Sequence, residues 1–315
     1  MAGPTDVRAK TPLSRRRLRP GPATLPDRFV EVQRNAGRGV NPMNEHLISS
    51  KQMAQFVASG YLRLDEMVPK ELCDACLVEM RDHHFGYLNV GASFEDTWPK
   101  GTALGDAFRL PQVQGFIHSL VGPDPLYDHH AAHLVKGGQT RGPDMHQDSV
   151  IDFRENYFDI QLSFFPVDTP DEMGGTFLVP GTQYRSVRTG EIHIYQHMRG
   201  KIWATCPAGT IFVWNTGVWH GARSNHTEQD RYMYKLRLNP TRPQVRNFDT
   251  ADLEDPEIRQ ILNTNHGWEG NEHRYELMRR VQMWRFVSGQ PDYDQGERFM
   301  RRIEYRPQAA GVAAG

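Results

Sequence analysis

The spacing of apolar residues changes period twice along this chain. In "ISSKQMAQFVASGYLRLDEMVPKELCDACLVEM", residues 48 to 80, apolar positions recur at helical spacing on both sides of the short run "YLRL", which predicts two helices around a strand. Ser49 or Ser50 supplies an N-cap, Gly60 a stop and Pro69 the start of the second helix. "DAFRLPQVQGFIHSLVG" reads as a further short helical passage, and together these segments predict an outer helical layer. Between about 127 and 240 the pattern becomes short, alternating and rich in aromatic and β-branched residues: "YFDIQLSFFPV", "GTFLVPGT", "GEIHIY", "GTIFVWN" and "RYMYKLRLNP". Gly, Pro, Asn and Asp punctuate these runs, so they predict an antiparallel sandwich or barrel rather than βαβ units. From about 251, "DLEDPEIRQILNTN" and "NEHRYELMRRVQMWRFVSG" return to helical periodicity, packed outside the barrel or over its mouth.

The expected architecture is therefore mainly β with flanking α-helices, in one domain over residues 26–310 whose β core covers about 127–240. Residues 1–25 are expected to form a flexible tail, because four prolines and the run "SRRRLRP" leave little apolar surface to bury. An organelle transit peptide is the alternative for so Arg-rich a start, though the segment lacks an amphipathic face.

Composition narrows the function. A formal net charge of -1 over 315 residues supplies no global attraction to nucleic acid or to an anionic membrane. No apolar run approaches the roughly 20 residues that span a bilayer, and the start has no apolar secretory core, so a cytoplasmic protein is expected. Three cysteines are too few and too odd for a disulfide framework. Cys73 and Cys76 form a CxxC, but they share a helical face with Leu72 and Leu77 and no second CxxC completes a zinc site, so both read as core.

The candidate chemistry begins at "GPDMHQDSVIDF", residues 142 to 153. In an extended segment the i, i+2 spacing of His146 and Asp148 puts both side chains on one face. Two imidazoles and one carboxylate on a single side form the facial triad that leaves the rest of a non-haem iron open. A third ligand must come from a distant strand. His220, flanked by Trp219 and Gly221 after the alternating "GTIFVWN", is the best candidate. Eleven residues on, Arg231 opens a strand with a guanidinium that can take a carboxylate bidentately. Arg237, on the same strand face, is its rival and otherwise reads as a surface ion pair.

Three stretches resemble the phytanoyl-CoA dioxygenase (PhyH)-like iron(II)/2-oxoglutarate-dependent oxygenases: "HQD" at 146 to 148, "GGTFLVPGTQ" at 174 to 183, and "WHGARSNHTEQDR" at 219 to 231. The resemblance covers roughly 127 to 240 and implies a double-stranded β-helix, or jelly roll. It implies that His146, Asp148 and His220 bind Fe(II) as the catalytic metal, that 2-oxoglutarate and O2 are co-substrates, and that Arg231 grips the distal carboxylate of 2-oxoglutarate. Many relatives carry Ser or Thr two residues after the distal histidine, where this chain has Ala222, so another donor must compensate. His129, His133 or Ser149 is expected to contact 2-oxoglutarate. Phe153, Tyr157, Trp219 and Arg223 are candidate substrate contacts, Trp219 because it adjoins His220.

The expected activity is oxidation of a small molecule, hydroxylation first, with succinate and CO2 released. Halogenating members of this broad group lack the carboxylate that Asp148 supplies. Desaturation, epoxidation and cyclisation are alternative outcomes of the same oxidant, and a non-catalytic cupin-like metal or ligand binder is the rival of another class. A clamp such as Arg231 beside an open metal favours the enzyme.

Overall fold

The computed structural model describes residues 45–82, 94–98, 100–140, 142, 144–148, 152–185, 189–192, 198–296 and 302–303; the expected tail at 1–25 and Ser149 lie outside these. The helical start follows its capping chemistry. Helix α1 (Ser50–Ser59) begins at Ser49, whose hydroxyl accepts from Gln52 N while the Gln52 side chain answers the Ser49 N–H. It ends at Gly60, whose φ of 81° is the left-handed conformation glycine adopts without strain. Strand β1 (Tyr61–Leu64) and helix α2 (Lys70–Asp82) follow as the periodicity predicts, with Cys73 and Cys76 buried in the α2 face. After the short helix α3 (Phe94–Thr97), the passage read as one helix divides into α4 (Ala103–Arg109) and α5 (Pro111–Val121). Pro111 is the cause, since it pushes Leu110 out of the helical region to φ -56°, ψ 135°.

The β region builds two antiparallel sheets. Strands β2 (Leu126–Val135), β3 (Ile160–Phe165), β6 (Thr210–Asn215) and β8 (Arg231–Asn239) join β1 in a five-stranded sheet of order β1-β6-β3-β8-β2. Strands β4 (Thr176–Val179), β5 (Ile202–Trp203) and β7 (Trp219–Ala222) form a second sheet of order β5-β4-β7. The chain passes from β3 to the second sheet, back at β6, across at β7 and back at β8, which is the winding of a double-stranded β-helix. One predicted strand differs. "GEIHIY" starts in the short helix α6 (Thr189–Ile192), and residues 193–195 lie outside the described ones.

Alternation along each strand sorts its residues between two cores. Ile160, Leu162 and Phe164 of β3, Ile211 and Val213 of β6, and Tyr234, Leu236 and Leu238 of β8 pack outward against the N-terminal helices. Phe165, Phe212 and Trp214 point the other way, into the barrel with Leu178, Ala204 and Val218. Helices α7 (Glu257–Leu262) and α8 (Gly270–Ser288) close the fold, and Trp284 and Val287 of α8 join the outer core.

Two stability predictions arise here. Arg280 and Glu276, both fully buried on α8, pair at 2.8 Å, and the guanidinium also donates to the carbonyls of Leu262 and Thr264. Arg280→Met leaves a carboxylate buried without its counter-charge and is expected to cost about 3–5 kcal/mol, most of it recovered in the Arg280→Met/Glu276→Leu double variant. Urea unfolding of the two variants measures this difference. The second prediction concerns pH. Burial, with His129 beside it, holds His130 down to about 4 against an ordinary 6.5. Between those values the unfolded chain binds a proton that the fold refuses, so the stability contribution present at pH 7 is lost as the pH falls through that window. The urea midpoint is expected to drop from pH 7 to pH 5, and less steeply in His130→Gln.

Candidate metal centre

The two-sheet winding brings the histidine-aspartate segment beside β7. His146 and His220 form an antiparallel bridge, with reciprocal N–H to carbonyl distances of 2.8 and 2.9 Å, so residue 146 extends the second sheet past β7. The Asp148 N–H donates to the Thr216 carbonyl at 3.1 Å. Between the two candidate ligands Gln147 faces the other way and donates from Nε2 to the carbonyls of Arg185 (2.8 Å) and Gly217 (2.7 Å). Its buried amide fixes the segment from behind, a role that a Gln between two ligands does not announce in sequence.

The donor set fits a divalent cation. His146 Nδ1 lies 2.8 Å from the Asp144 carbonyl and His220 Nδ1 2.9 Å from that of Val218. A carbonyl only accepts, so each Nδ1 carries the proton and, in the neutral rings, each Nε2 presents a lone pair. Those lone pairs converge on Asp148, His220 Nε2 at 3.2 Å from Oδ2 and His146 Nε2 at 3.9 Å from Oδ1. One ligand atom from each of the three residues falls within 4.8 Å of the others. Burial, then the neighbouring His220, holds the His146 imidazole below its ordinary value, which keeps a proton from competing for the lone pair. Burial would raise the Asp148 carboxyl, but His220, Lys235 and Arg237 outweigh it and hold the group far below the carboxylate range.

The inward face of β8 supplies the cations. Arg231, Met233, Lys235 and Arg237 alternate with the outward Tyr232, Tyr234, Leu236 and Leu238. Arg231, only 4% exposed, donates from Nη1 to the Met173 carbonyl at 2.9 Å, and burial with Arg223 nearby lowers its pKa to about 10. Gly174, at φ +93°, makes room: a Cβ there would lie 2.8 Å from Arg231 Nη1 and 2.2 Å from the Ser224 carbonyl oxygen. Lys235 Nζ lies 3.3 and 3.4 Å from the two Asp148 oxygens. Arg237 reaches Asp148 at 3.2 Å and Asp128 at 3.5 Å, so it faces the barrel interior rather than forming the surface pair read from sequence.

His129 and His133 stand opposite Arg237 and Met233 on β2, hence on this same inward face. Burial, with Lys235 next in weight, pushes both imidazoles down to about 4, leaving them neutral at pH 7. Thr176 on β4 is the register partner of Ala222, and its hydroxyl points to Met233 Sδ at 3.7 Å. A hydroxyl thus occupies the neighbourhood where Ala222 lacks one. Sequence reasoning missed Thr176 and Lys235, although the alternation of cations along "RYMYKLRL" was a legible signal for the second.

The four candidate substrate contacts are not brought to the ligand face. Trp219 precedes His220 on β7 and so points oppositely, into a cluster with Met145, Phe177, Val179 and Ile192, its indole donating to the Arg185 carbonyl at 3.4 Å. Arg223 pairs with Asp171 and lies 4.3 Å from the Trp203 ring on that same outer side. Phe153 is 96% exposed. Tyr157 packs at a tilt against Phe286, ring centroids 5.5 Å apart, and lines a cleft behind the ligand segment with Gln147, Gln183, Asn215 and Tyr275.

A double-stranded β-helix carrying two histidines and a carboxylate at its inner face defines the class of non-haem iron oxygenases. The sequence matches the phytanoyl-CoA dioxygenase (PhyH) family over residues 56–233, and the chain belongs to that family, one of iron(II)- and 2-oxoglutarate-dependent enzymes. No curated protein matches it. Solved structures similar to it include AviO1 from Streptomyces viridochromogenes Tue57, 11% identical, covering 61% of this chain and 95% of that one at a TM-score of 0.48. SnoK, described as a non-heme alpha ketoglutarate dependent carbocyclase from nogalamycin biosynthesis, is 14% identical over 64% of this chain and 87% of its own, at a TM-score of 0.48. EctD from S. alaskensis with bound Fe is 14% identical over 64% and 82%, at a TM-score of 0.49. Among the described residues no helix is long and apolar enough to cross a membrane.

Proposed function

We propose that this protein hydroxylates a small molecule, with His146, Asp148 and His220 as the ligands of its iron(II). The observation that carries the reading is the convergence of three electron-pair donors on one wall of a barrel whose facing strand holds a buried arginine. Iron(II), when bound with 2-oxoglutarate and O2, supplies the oxidation that yields succinate, CO2 and an oxidised substrate. The chain's residues do the rest. The two Nδ1 to carbonyl bonds orient the imidazoles, and Gln147 holds the segment that carries His146 and Asp148. Arg231 offers its fork to the distal carboxylate of 2-oxoglutarate, in a recess whose burial strengthens that pairing. Thr176 supplies the hydroxyl that Ala222 lacks, and neutral His133 and His129 add hydrogen-bonding groups along β2 without adding charge. The cores on either side of the five-stranded sheet exclude water from this wall.

Asp148 favours oxygen insertion over halogen transfer, since its carboxylate takes the coordination position a halide would need. A non-catalytic binder has no use for Arg231 in this place. Turnover with candidate small molecules under isotopically labelled O2 tests the reaction type. One label atom in the product and one in succinate is the expected result, whereas an unlabelled product formed with equal succinate would mean desaturation or ring closure.

A further inference from the structure

We propose that Lys235 and Arg237 bind a carboxylate of the substrate, so that the enzyme acts on an organic acid; this rests on the oxygenase reading above. Three observations lead to it. The first is position. On the inward face of β8, Arg231 lies at the buried end, 4% exposed, whereas the side chains of Arg237 and of its partner Asp128 are 20% and 19% exposed. His146 is likewise open, its side chain 30% exposed. Lys235 and Arg237 therefore lie beside Asp148, level with the candidate metal ligands and on the more open side of Arg231, about 13 and 20 Å along the strand from it at ~3.3 Å per residue. A co-substrate gripped by Arg231 occupies the deep end, and whatever enters next meets this pair.

The second observation is charge. Among the described residues of this interior wall, Arg231, Lys235 and Arg237 contribute three positive charges and Asp148 and Asp128 two negative ones, a surplus of one (3 − 2). The two charges of iron(II) are matched by the two carboxylates of 2-oxoglutarate, so loading the site leaves that surplus in place. His129 and His133 do not change it, being neutral at pH 7. An uncompensated cation in a low-dielectric interior is costly, and a monoanion cancels it.

The third is incomplete hydrogen bonding. Charge-assisted N–H to carboxylate contacts run about 2.7–2.9 Å. Here Lys235 stands 3.3 and 3.4 Å from Asp148, and Arg237 stands 3.2 Å from Asp148 and 3.5 Å from Asp128. The Arg237 Nε is buried without a partner. Directly across the sheet, Ser163 pairs in register with Lys235 and Gln161 with Arg237, and Gln161 in turn with Trp214. The Ser163 hydroxyl, the Gln161 Oε1 and the Trp214 Nε1 are all buried with no hydrogen-bond partner. Two loosely held cations with a buried hydroxyl and an indole N–H beside them are donors for a carboxylate, and Gln161 Oε1 is an acceptor for a hydroxyl or amine next to it.

The test is isothermal titration calorimetry with hexanoate and with hexanamide, its uncharged counterpart, under anaerobic conditions on protein saturated with iron(II) and 2-oxoglutarate. Saturation is judged by the visible band of the chelated keto acid, which reports the oxygenase reading separately from the anion site. Wild type is expected to bind hexanoate at least tenfold more tightly than hexanamide. Lys235→Met and Arg237→Met should each lose about tenfold for hexanoate and nothing for hexanamide, and Arg237→Lys, which keeps the charge, should lose less. Equal affinity for acid and amide, no binding of hexanoate by wild type, or hexanoate binding indifferent to the substitutions would each overturn the proposal. So would a Lys235→Met protein that forms no band at any 2-oxoglutarate concentration, because Lys235 would then serve the co-substrate or Asp148 instead.

Discussion

Arg231→Ala is expected to weaken 2-oxoglutarate binding by about a hundredfold, the equivalent of about 3 kcal/mol, while leaving iron(II) affinity within twofold. The asymmetry follows from where the residue stands. Arg231 has no hydrogen bond or ion pair to the three candidate ligands, and its fixed partner is the Met173 carbonyl. Removing it takes a bidentate, desolvated partner from a carboxylate that then has to enter a buried recess unpaired. Arg231→Lys keeps a point charge but not the fork, so it should recover only part of the loss. Anaerobic titration of iron-loaded protein with 2-oxoglutarate measures all three affinities. Equal affinity in wild type and Arg231→Ala would move the clamp elsewhere on the inward face of β8, to Lys235 or Arg237.

Asp148→Asn and His220→Ala should both abolish tight iron(II) binding and all turnover, yet they should differ in the metal-free protein. Asp148 is the carboxylate that Lys235 and Arg237 share, with 10% of its side chain exposed. Neutralising it leaves two cations facing each other in the barrel, and the metal-free fold is expected to lose about 3 kcal/mol. His220→Ala strands no pair of cations; it removes the contact of Nε2 with Asp148 Oδ2 at 3.2 Å and an imidazole beside His146 and Trp214, rings 4.3 and 5.4 Å away. A loss nearer ~1–2 kcal/mol is expected there, from packing and that one polar contact. Urea unfolding of the two metal-free variants beside wild type separates them, and equal destabilisation would show that the pairing of Asp148 with Lys235 and Arg237 contributes nothing net.

Much of the framework is legible without coordinates because local rules and the fold agree. Ser49 and Gly60 mark the ends of α1 through capping and a left-handed turn, effects that act within a few residues, whereas the break at Pro111 lies inside a passage whose apolar periodicity reads as one helix. The i, i+2 relation of His146 and Asp148 is equally local. What alternation along a strand leaves ambiguous is which face is inside. On β8 the face bearing Arg231, Lys235 and Arg237 looks like the solvent side of a half-buried strand, and the reading of Arg237 as a surface ion pair follows that convention. In this barrel the apolar face of β8 is covered by helices and the charged face turns inward, so both faces are enclosed. Trp219 fails for the complementary reason. Adjacency in sequence to His220 guarantees the opposite face of a strand, and that face belongs to the cluster around Phe177. Gln147 and Thr176 act through long-range register, with Gly217 in one case and Ala222 in the other, which no local pattern encodes.

The central claim is that His146, Asp148 and His220 hold an iron(II) that chelates 2-oxoglutarate. Its most direct test is anaerobic addition of iron(II) and then 2-oxoglutarate to the metal-free protein, in wild type and in His146→Ala, followed by visible absorption. The account predicts a weak charge-transfer band in wild type that saturates with one 2-oxoglutarate per chain and is absent from His146→Ala. Iron bound by wild type with no band on adding 2-oxoglutarate would contradict it and favour a binder without turnover.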